Sequence, residues 1–213
     1  MTKDKMKIGE VSKPRFEFRT FGRDFSDAAY LMTRLSVPVP KKVWERTSEE
    51  TYIISRTNDV NNTKIRDGKM DIKTFVQEVD GLEQWNPLMK GKFPMKAKIL
   101  SKEVFPAFKV EMPDLEDREY ELEEFLQIVK DHPDLLAVSV EKERFGYMVN
   151  DTICEYANVW INGAMTVTVN SESTEIDDIK KTIKDLGLEG VENINYLQAA
   201  KRIVGMIDKK LAN

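Results

Sequence analysis

Apolar and polar residues alternate one by one along much of this chain, the period of a strand with two unlike faces. The clearest case is 61–74, NNTKIRDGKMDIKT. Asp67-Gly68 interrupts the alternation, and Asp-Gly favours the two-residue turn that joins antiparallel strands. The resulting hairpin puts Asn62, Lys64, Arg66, Lys69, Asp71 and Lys73 on one face and Thr63, Ile65, Met70 and Ile72 on the other. In this register Arg66 opposes Lys69 and Asn62 opposes Lys73, while Lys64 meets Asp71. Facing cations are unfavourable unless water or an anion screens them. The face is thus either ordinary solvated surface or part of an anion site, and basic strands elsewhere decide between the two.

The same alternation marks further strands. Residues 13–21 put Arg15, Glu17 and Arg19 opposite Phe16 and Phe18. Residues 135–149 put Val138, Val140, Lys142 and Arg144 on one face. Residues 152–161 and 164–172 turn at Asn162-Gly163, with Glu155 beside Ile153 and Ala157, and Thr166, Thr168, Asn170 and Glu172 together. A hairpin with arms 42–47 and 51–57 is expected to turn at 48–50, and 96–104 reads as another strand, followed by a loop or short edge strand between Pro106 and Pro113. Helical spacing appears at 25–35, which Pro38 and Pro40 stop, in a short stretch within 75–86, at 117–130, from Thr174 to Gly187, and from about Asn195 along a stripe ending at Leu211. The two C-terminal helices would cover a sheet. No repeat or linker interrupts 1–213, so one domain is expected.

With 213 residues, 41% hydrophobic and 33% charged, the chain has the composition of a soluble globular protein. Its net charge of -4 argues against general nucleic-acid binding, though a local basic pocket is compatible with it. The single cysteine, Cys154, excludes an internal disulfide and a cysteine-based metal cluster, and fits a cytoplasmic location. It reads as a small core residue. The single histidine, His132, reads as a loop residue, so triads and histidine-rich zinc sites are not expected. No N-terminal apolar core or membrane-length run is present.

About eight strands, mostly joined by hairpins, with a few helices, predict an α+β fold built on an antiparallel sheet. If the sheet closes, its charged faces converge on a lumen that must hold water, ions or ligand. Here the order of YIISR, TKIRDGKMDIK, VEKERFGYMV, ICEYANVWINGAMTVTVNSES and NINYLQAAKRIVG resembles the CYTH superfamily, the triphosphate tunnel metalloenzymes. These include class IV adenylate cyclases, thiamine triphosphatases and inorganic triphosphatases. The resemblance implies a closed eight-stranded antiparallel tunnel with flanking helices that binds a triphosphate-containing small molecule.

On matching positions it implies that Arg19, Arg56, Lys64, Arg66, Lys73, Lys142 and Arg144 bind the phosphates. It implies that Glu17, Glu155 and Glu172 bind Mg²⁺ or Mn²⁺, with Glu17 and Glu155 as the catalytic acids. The chain departs from the pattern, however. The first-strand Glu-x-Glu-x-Lys is here Glu17-Phe18-Arg19-Thr20-Phe21, and the late Glu-x-Glu is Thr168-Val169-Asn170 with Glu172 the nearest acid. Losing carboxylate oxygens weakens a site for a hard divalent cation. Three readings stay open: a metal-dependent phosphohydrolase or cyclase-like enzyme, a non-catalytic phosphate-binding or sensor module that has lost its metal site, and a structural domain with solvated charged faces.

Overall fold

The computed structural model describes residues 14–39 and 44–211. The N-terminal ten residues, Lys13, Pro40 and Lys42, which entered the sequence reading, lie outside them. The eight long strands close into an antiparallel barrel in the order β1 (Arg15–Gly22), β10 (Ala164–Ser173), β9 (Thr152–Ile161), β8 (Leu135–Val149), β2 (Glu45–Ser55), β3 (Asn61–Arg66), β4 (Lys69–Val79) and β5 (Leu82–Lys92), which returns to β1. A small two-stranded sheet pairs β6 (Met95–Lys96) with β7 (Glu119–Tyr120). The helices are α1 (Ser26–Leu35), α2 (97–108), α3 (Leu122–Asp131), α4 (Ile176–Asp185) and α5 (Tyr196–Ile203). This is the α+β fold and the closed barrel expected from the sequence.

Hairpin chemistry sets most of the closure. Asp67-Gly68, Asp80-Gly81, Asn150-Asp151 and Asn162-Gly163 each place two successive residues at positive φ, the primed-turn geometry whose twist matches the flanking strands. The β3–β4 register is the expected one, with Asn62 opposite Lys73, Lys64 opposite Asp71 and Arg66 opposite Lys69.

Three expectations are corrected. Residues 48–50 do not turn: β2 runs unbroken for 11 residues, and the long β8 pairs with it from Glu45–Phe145 to Ser55–Leu135, so its β8 edge is held in a ladder through the supposed turn. The stretch 75–86 is not helical. It holds the end of β4, the Asp80-Gly81 turn and the start of β5, whose Pro87 sits beside a register shift where the ladder does not need its missing N–H. Residues 97–108 form α2 and not a strand, with a wide π-type turn at Leu100–Val104, and Pro106 lies inside this helix and not in a loop. Leu100, Val104, Phe105 and Phe108 share one buried face there. The terminal helices start and stop differently by small margins. Glu119–Tyr120 is strand before α3, α4 begins at Ile176 after Glu175, and α5 ends at Ile203, so Ile207 and Leu211 follow it in non-helical chain.

The barrel is apolar outside, and within it is apolar at one end and polar toward the other. Ile53, Ile65, Met70 and Ile72 point outward beneath α2 and α3, against Leu100, Phe105, Phe108 and Phe125. Phe16, Phe18, Val167 and Val169 point outward beneath α1 and α4, against Met32 and Ile179. Phe125 is fully buried and ties α3 to both α2 and the sheet through Phe93, Phe105 and Phe108. Phe125→Ala is expected to lower unfolding free energy by about 3–5 kcal/mol in urea titrations, since the helix-to-sheet contact cannot collapse around the cavity.

Inside, one end of the barrel is stoppered. Phe21, Tyr52, Ile54, Val138, Val140, Val159 and Ile161 face inward there and pack on Tyr196, Leu197 and Ala200 of α5. Lys201, fully buried, fastens that helix by donating to the Asn58 carbonyl at 2.8 Å and to Asp59 at 2.7 Å.

Candidate functional site

Moving from the stoppered end toward the mouth, the inward positions change from apolar to charged on several strands. On β1 the order is Phe21, Arg19, Glu17, Arg15; on β2 it is Ile54, Tyr52, Glu50, Ser48, Arg46; on β8 it is Val138, Val140, Lys142, Arg144. The result is a blind tunnel with an apolar floor. Its inner chamber is lined by Glu17, Arg19, Tyr52, Lys64, Lys73, Lys142, Arg144, Glu155, Glu172 and Tyr196 among others, and Arg15 and Arg66 join at the mouth.

Two sub-arrays stand in it. The first is a buried pair with a guanidinium on its rim. Lys142 Nζ lies 2.7 Å from Glu50 Oε2 and donates to Tyr52 Oη at 3.1 Å, and Arg66 Nη1 reaches Glu50 Oε1 at 3.2 Å. The ammonium also lies over the Tyr196 ring at 3.8 Å and the Tyr52 ring at 5.1 Å. Burial acts to raise the Glu50 carboxyl, but Lys142 and Lys64 hold it well below the usual carboxylate range. Burial pulls Lys142 down to about 7 against the opposing pull of Glu50, and Lys64 adds to the fall.

The second is an acidic half. Glu17 and Glu172 sit directly opposite each other on β1 and β10, and Arg19 opposes Asn170, which in turn opposes Glu155 on β9. Burial, and then the facing Glu17, raise the Glu172 carboxyl. Glu17 shifts the other way: burial acts to raise it, but Arg19, Lys73 and Lys64 prevail and lower it.

Lys64 and Lys73 differ from the other cations. Neither makes a side-chain hydrogen bond or an ion pair among the described residues, although the charges of Glu50 and Asp71 act on Lys64. Burial lowers Lys64, Glu50 opposes this, and Lys73 and Arg66 add to the fall. Close by, the buried Nε of Arg144 has no hydrogen-bond partner.

The tunnel thus gathers Glu17, Arg19, Lys64, Arg66, Lys73, Lys142, Arg144, Glu155 and Glu172 from the sequence-based set. It does not gather Arg56. Strand β2 ends at Ser55, and Arg56 lies at the stoppered end, where its guanidinium donates to the Met206 carbonyl at 2.9 Å. Sequence reasoning missed Arg46, Glu50 and Tyr196. The signal for the first two was present, since Arg46, Ser48, Glu50, Tyr52 and Ile54 continue one strand face through the supposed turn.

Comparison with known proteins returns distant structural likenesses. No family model and no curated protein sequence matches the chain. A solved structure of an adenylate cyclase candidate from Bacillus halodurans aligns with a TM-score of 0.47 at 13% identity, over 85% of this chain and 94% of that one. A conserved hypothetical protein from Pyrococcus furiosus aligns at 0.46 and 15%, over 86% and 98%. An adenylyl cyclase candidate from Hippeastrum, described as having a dominant triphosphatase activity, aligns at 0.44 and 11%, over 82% and 88%. All three are distant likenesses, with TM-scores of 0.47 or less at 15% identity or less. What this tunnel does is read from its own side chains.

Those side chains do not fit a dedicated divalent-cation site. Glu17 Oε1 lies 2.6 Å from Arg19 Nε, Glu155 faces Arg19 at 3.5 Å and Arg144 at 3.7 Å, and Glu172 faces Arg15 at 3.6 Å. Each carboxylate is turned to a guanidinium, and no three His, Cys, Asp or Glu side chains gather around a common point among the described residues. Hard divalent cations need several carboxylate or carbonyl oxygens converging on one position.

Proposed function

We propose that the tunnel binds a triphosphate-containing small molecule and that the chain acts as a phosphate-binding module. The supporting observation is the pair Lys64 and Lys73, diagonal neighbours on β3 and β4, facing a lumen beside the free Nε of Arg144. Among the described residues of the tunnel, Arg15, Arg19, Arg46, Lys64, Arg66, Lys73, Lys142 and Arg144 face Glu17, Glu50, Asp71, Glu155 and Glu172, an excess of three cations. Clustered buried cations repel one another, and an anion removes that cost.

The spread of these cations selects the kind of anion. They come from β1, β2, β3, β4 and β8, so a single phosphate meets two or three of them while a chain of phosphates meets most. An eight-stranded barrel admits one small ligand, and a duplex nucleic acid does not fit its lumen. The apolar floor under Tyr196 leaves the mouth as the way in, so the organic part of a nucleotide or similar compound would remain outside, toward Arg46 and Arg66.

Calorimetric titration of the full chain with tripolyphosphate and with ATP, followed by assay of phosphate release on the same samples, tests this reading. The expected result is saturable binding of one ligand per chain with no turnover. Absence of binding by either ligand would return the charged faces to a structural role. Metal-stimulated phosphate release would replace the binding module by an enzyme.

A further inference from the structure

We infer that Arg19 is the resident cation of the tunnel's acidic half, so that phosphate binding here is independent of a divalent metal. This rests on the reading of the tunnel as a phosphate site, but its metal arm can be measured without any phosphate. Arg19 stands on β1 where the family resemblance would place a second acid. Its guanidinium sits among the acids that would otherwise hold a cation, with Nε 2.6 Å from Glu17 and Nη1 3.5 Å from Glu155.

The placement is built, not incidental. Arg19 is 6% exposed. Nη1 donates to Thr168 Oγ1 at 3.4 Å, and the guanidinium carbon lies 4.8 Å from the centre of the Tyr196 ring. The backbone is pinned as well: Asn193 accepts from the Arg19 N–H at 2.8 Å, and the Arg19 carbonyl accepts from Ile194 N–H at 2.5 Å. The side chain is therefore fixed from β10 and α5, and the backbone from the segment before α5.

Two consequences follow from charge. A divalent cation approaching Glu17 or Glu155 meets a fixed positive charge within bonding distance of both, in a buried site where such repulsion is poorly screened. An arginine does not lose its proton to make room. On the ligand side, a bare polyphosphate carries the full negative charge that the excess cations complement. A metal-chelated one carries less, and is expected to bind more weakly.

The test uses the full chain and two separate titrations. In the first, Mn²⁺ alone is added and free ion is followed by electron paramagnetic resonance. Wild type is expected to retain none at micromolar concentrations, and Arg19→Glu, which adds a carboxylate beside Glu17 and removes the cation, is expected to retain about one ion per chain. In the second, tripolyphosphate is titrated into wild type in EDTA and in excess Mn²⁺, with affinity expected to be equal or greater in EDTA. One Mn²⁺ retained by wild type and lost in Glu17→Gln would overturn the inference, as would tripolyphosphate binding ten times tighter with Mn²⁺ than in EDTA. If tripolyphosphate binds under neither condition, the phosphate reading fails and the Mn²⁺ titration still decides the role of Arg19. If Arg19→Glu does not fold, the two wild-type measurements decide it alone.

Discussion

Glu50→Gln is expected to lower unfolding free energy by about 3–5 kcal/mol near pH 7, because it breaks a buried ion pair from one side. Glu50 is 3% exposed and Lys142 4%. Without the carboxylate, Lys142 keeps the Tyr52 hydroxyl and the two tyrosine rings, none of which carries a compensating charge. Arg66 also loses its partner, but its side chain is 40% exposed and water replaces the bond cheaply.

The pH dependence separates this cause from a general loss of packing. Lys142 and Lys64 hold Glu50 below its ordinary carboxyl value of 4.5, against burial. A carboxylate depressed in the folded state contributes stability above its unfolded pKa and loses it progressively as pH falls below that value. The gap between wild type and Glu50→Gln, measured by urea unfolding, should therefore be widest near neutrality and narrow as pH drops below about 4.5. The double replacement Glu50→Leu with Lys142→Met is expected to recover most of the loss, since an apolar pair of similar volume removes both desolvation costs. A gap that stays constant down to pH 3, or a double variant no better than the single, would mean that the pair is not the source of the effect.

How far the sequence could disclose this architecture depended on whether the deciding contact was local. The β3–β4 register was readable because Asp67-Gly68 fixes it within a few residues, and Asn162-Gly163 did the same for β9–β10. Asp80-Gly81 carries the same chemistry, yet the apolar spacing of Val76, Val79 and Leu82 imitates a helix, and pairing with β4 and with β1 makes β5 a strand. The alternation of Lys96, Lys98, Leu100 and Lys102 imitates a strand in the same way. Leu100, Val104, Phe105 and Phe108 show the helical face once burial is known. For the site, alternation tells which residues share a face and cannot tell lumen from solvent. That distinction is made by the closing contact between β5 and β1, which is far apart in sequence. Glu50 was lost by placing a turn on three polar residues, and Arg56 was gained by extending a strand two residues beyond its end. The position of Arg19 was readable as a departure. Its ion pair with Glu17 is local, two residues away on the same strand face, while the one with Glu155 required the barrel to bring β1 and β9 together across β10.

Removing Lys64 and Lys73 should separate binding from folding. Each charge-assisted contact to a phosphate contributes about 1.5–3 kcal/mol, and part of that is offset because deleting one of two neighbouring cations relieves their repulsion. Lys64→Met with Lys73→Met is therefore expected to weaken tripolyphosphate binding by roughly 30- to 1,000-fold, about 2–4 kcal/mol. Stability should move the other way. Burial and then the neighbouring cations depress Lys64 below 10.5, with Glu50 opposing. A lysine depressed in the folded state costs stability below its folded pKa, and the cost is relieved as pH rises toward its unfolded value. The single variant Lys64→Met should accordingly be as stable as wild type or more so at pH 7, with any gain vanishing by about pH 10. A surface lysine would show neither trend, and a lysine kept for packing would lose stability with its affinity. Binding should also take up protons. With Lys142 drawn down to about 7, its amine is largely neutral at pH 8, and an anion brought beside it restores the charge. Calorimetry in buffers of different ionisation enthalpy should report uptake of up to about one proton per tripolyphosphate at pH 8, beyond that of the ligand itself. The uptake should fall sharply in Lys142→Met. If it is unchanged there, the proton goes elsewhere and Lys142 does not sense the bound phosphate.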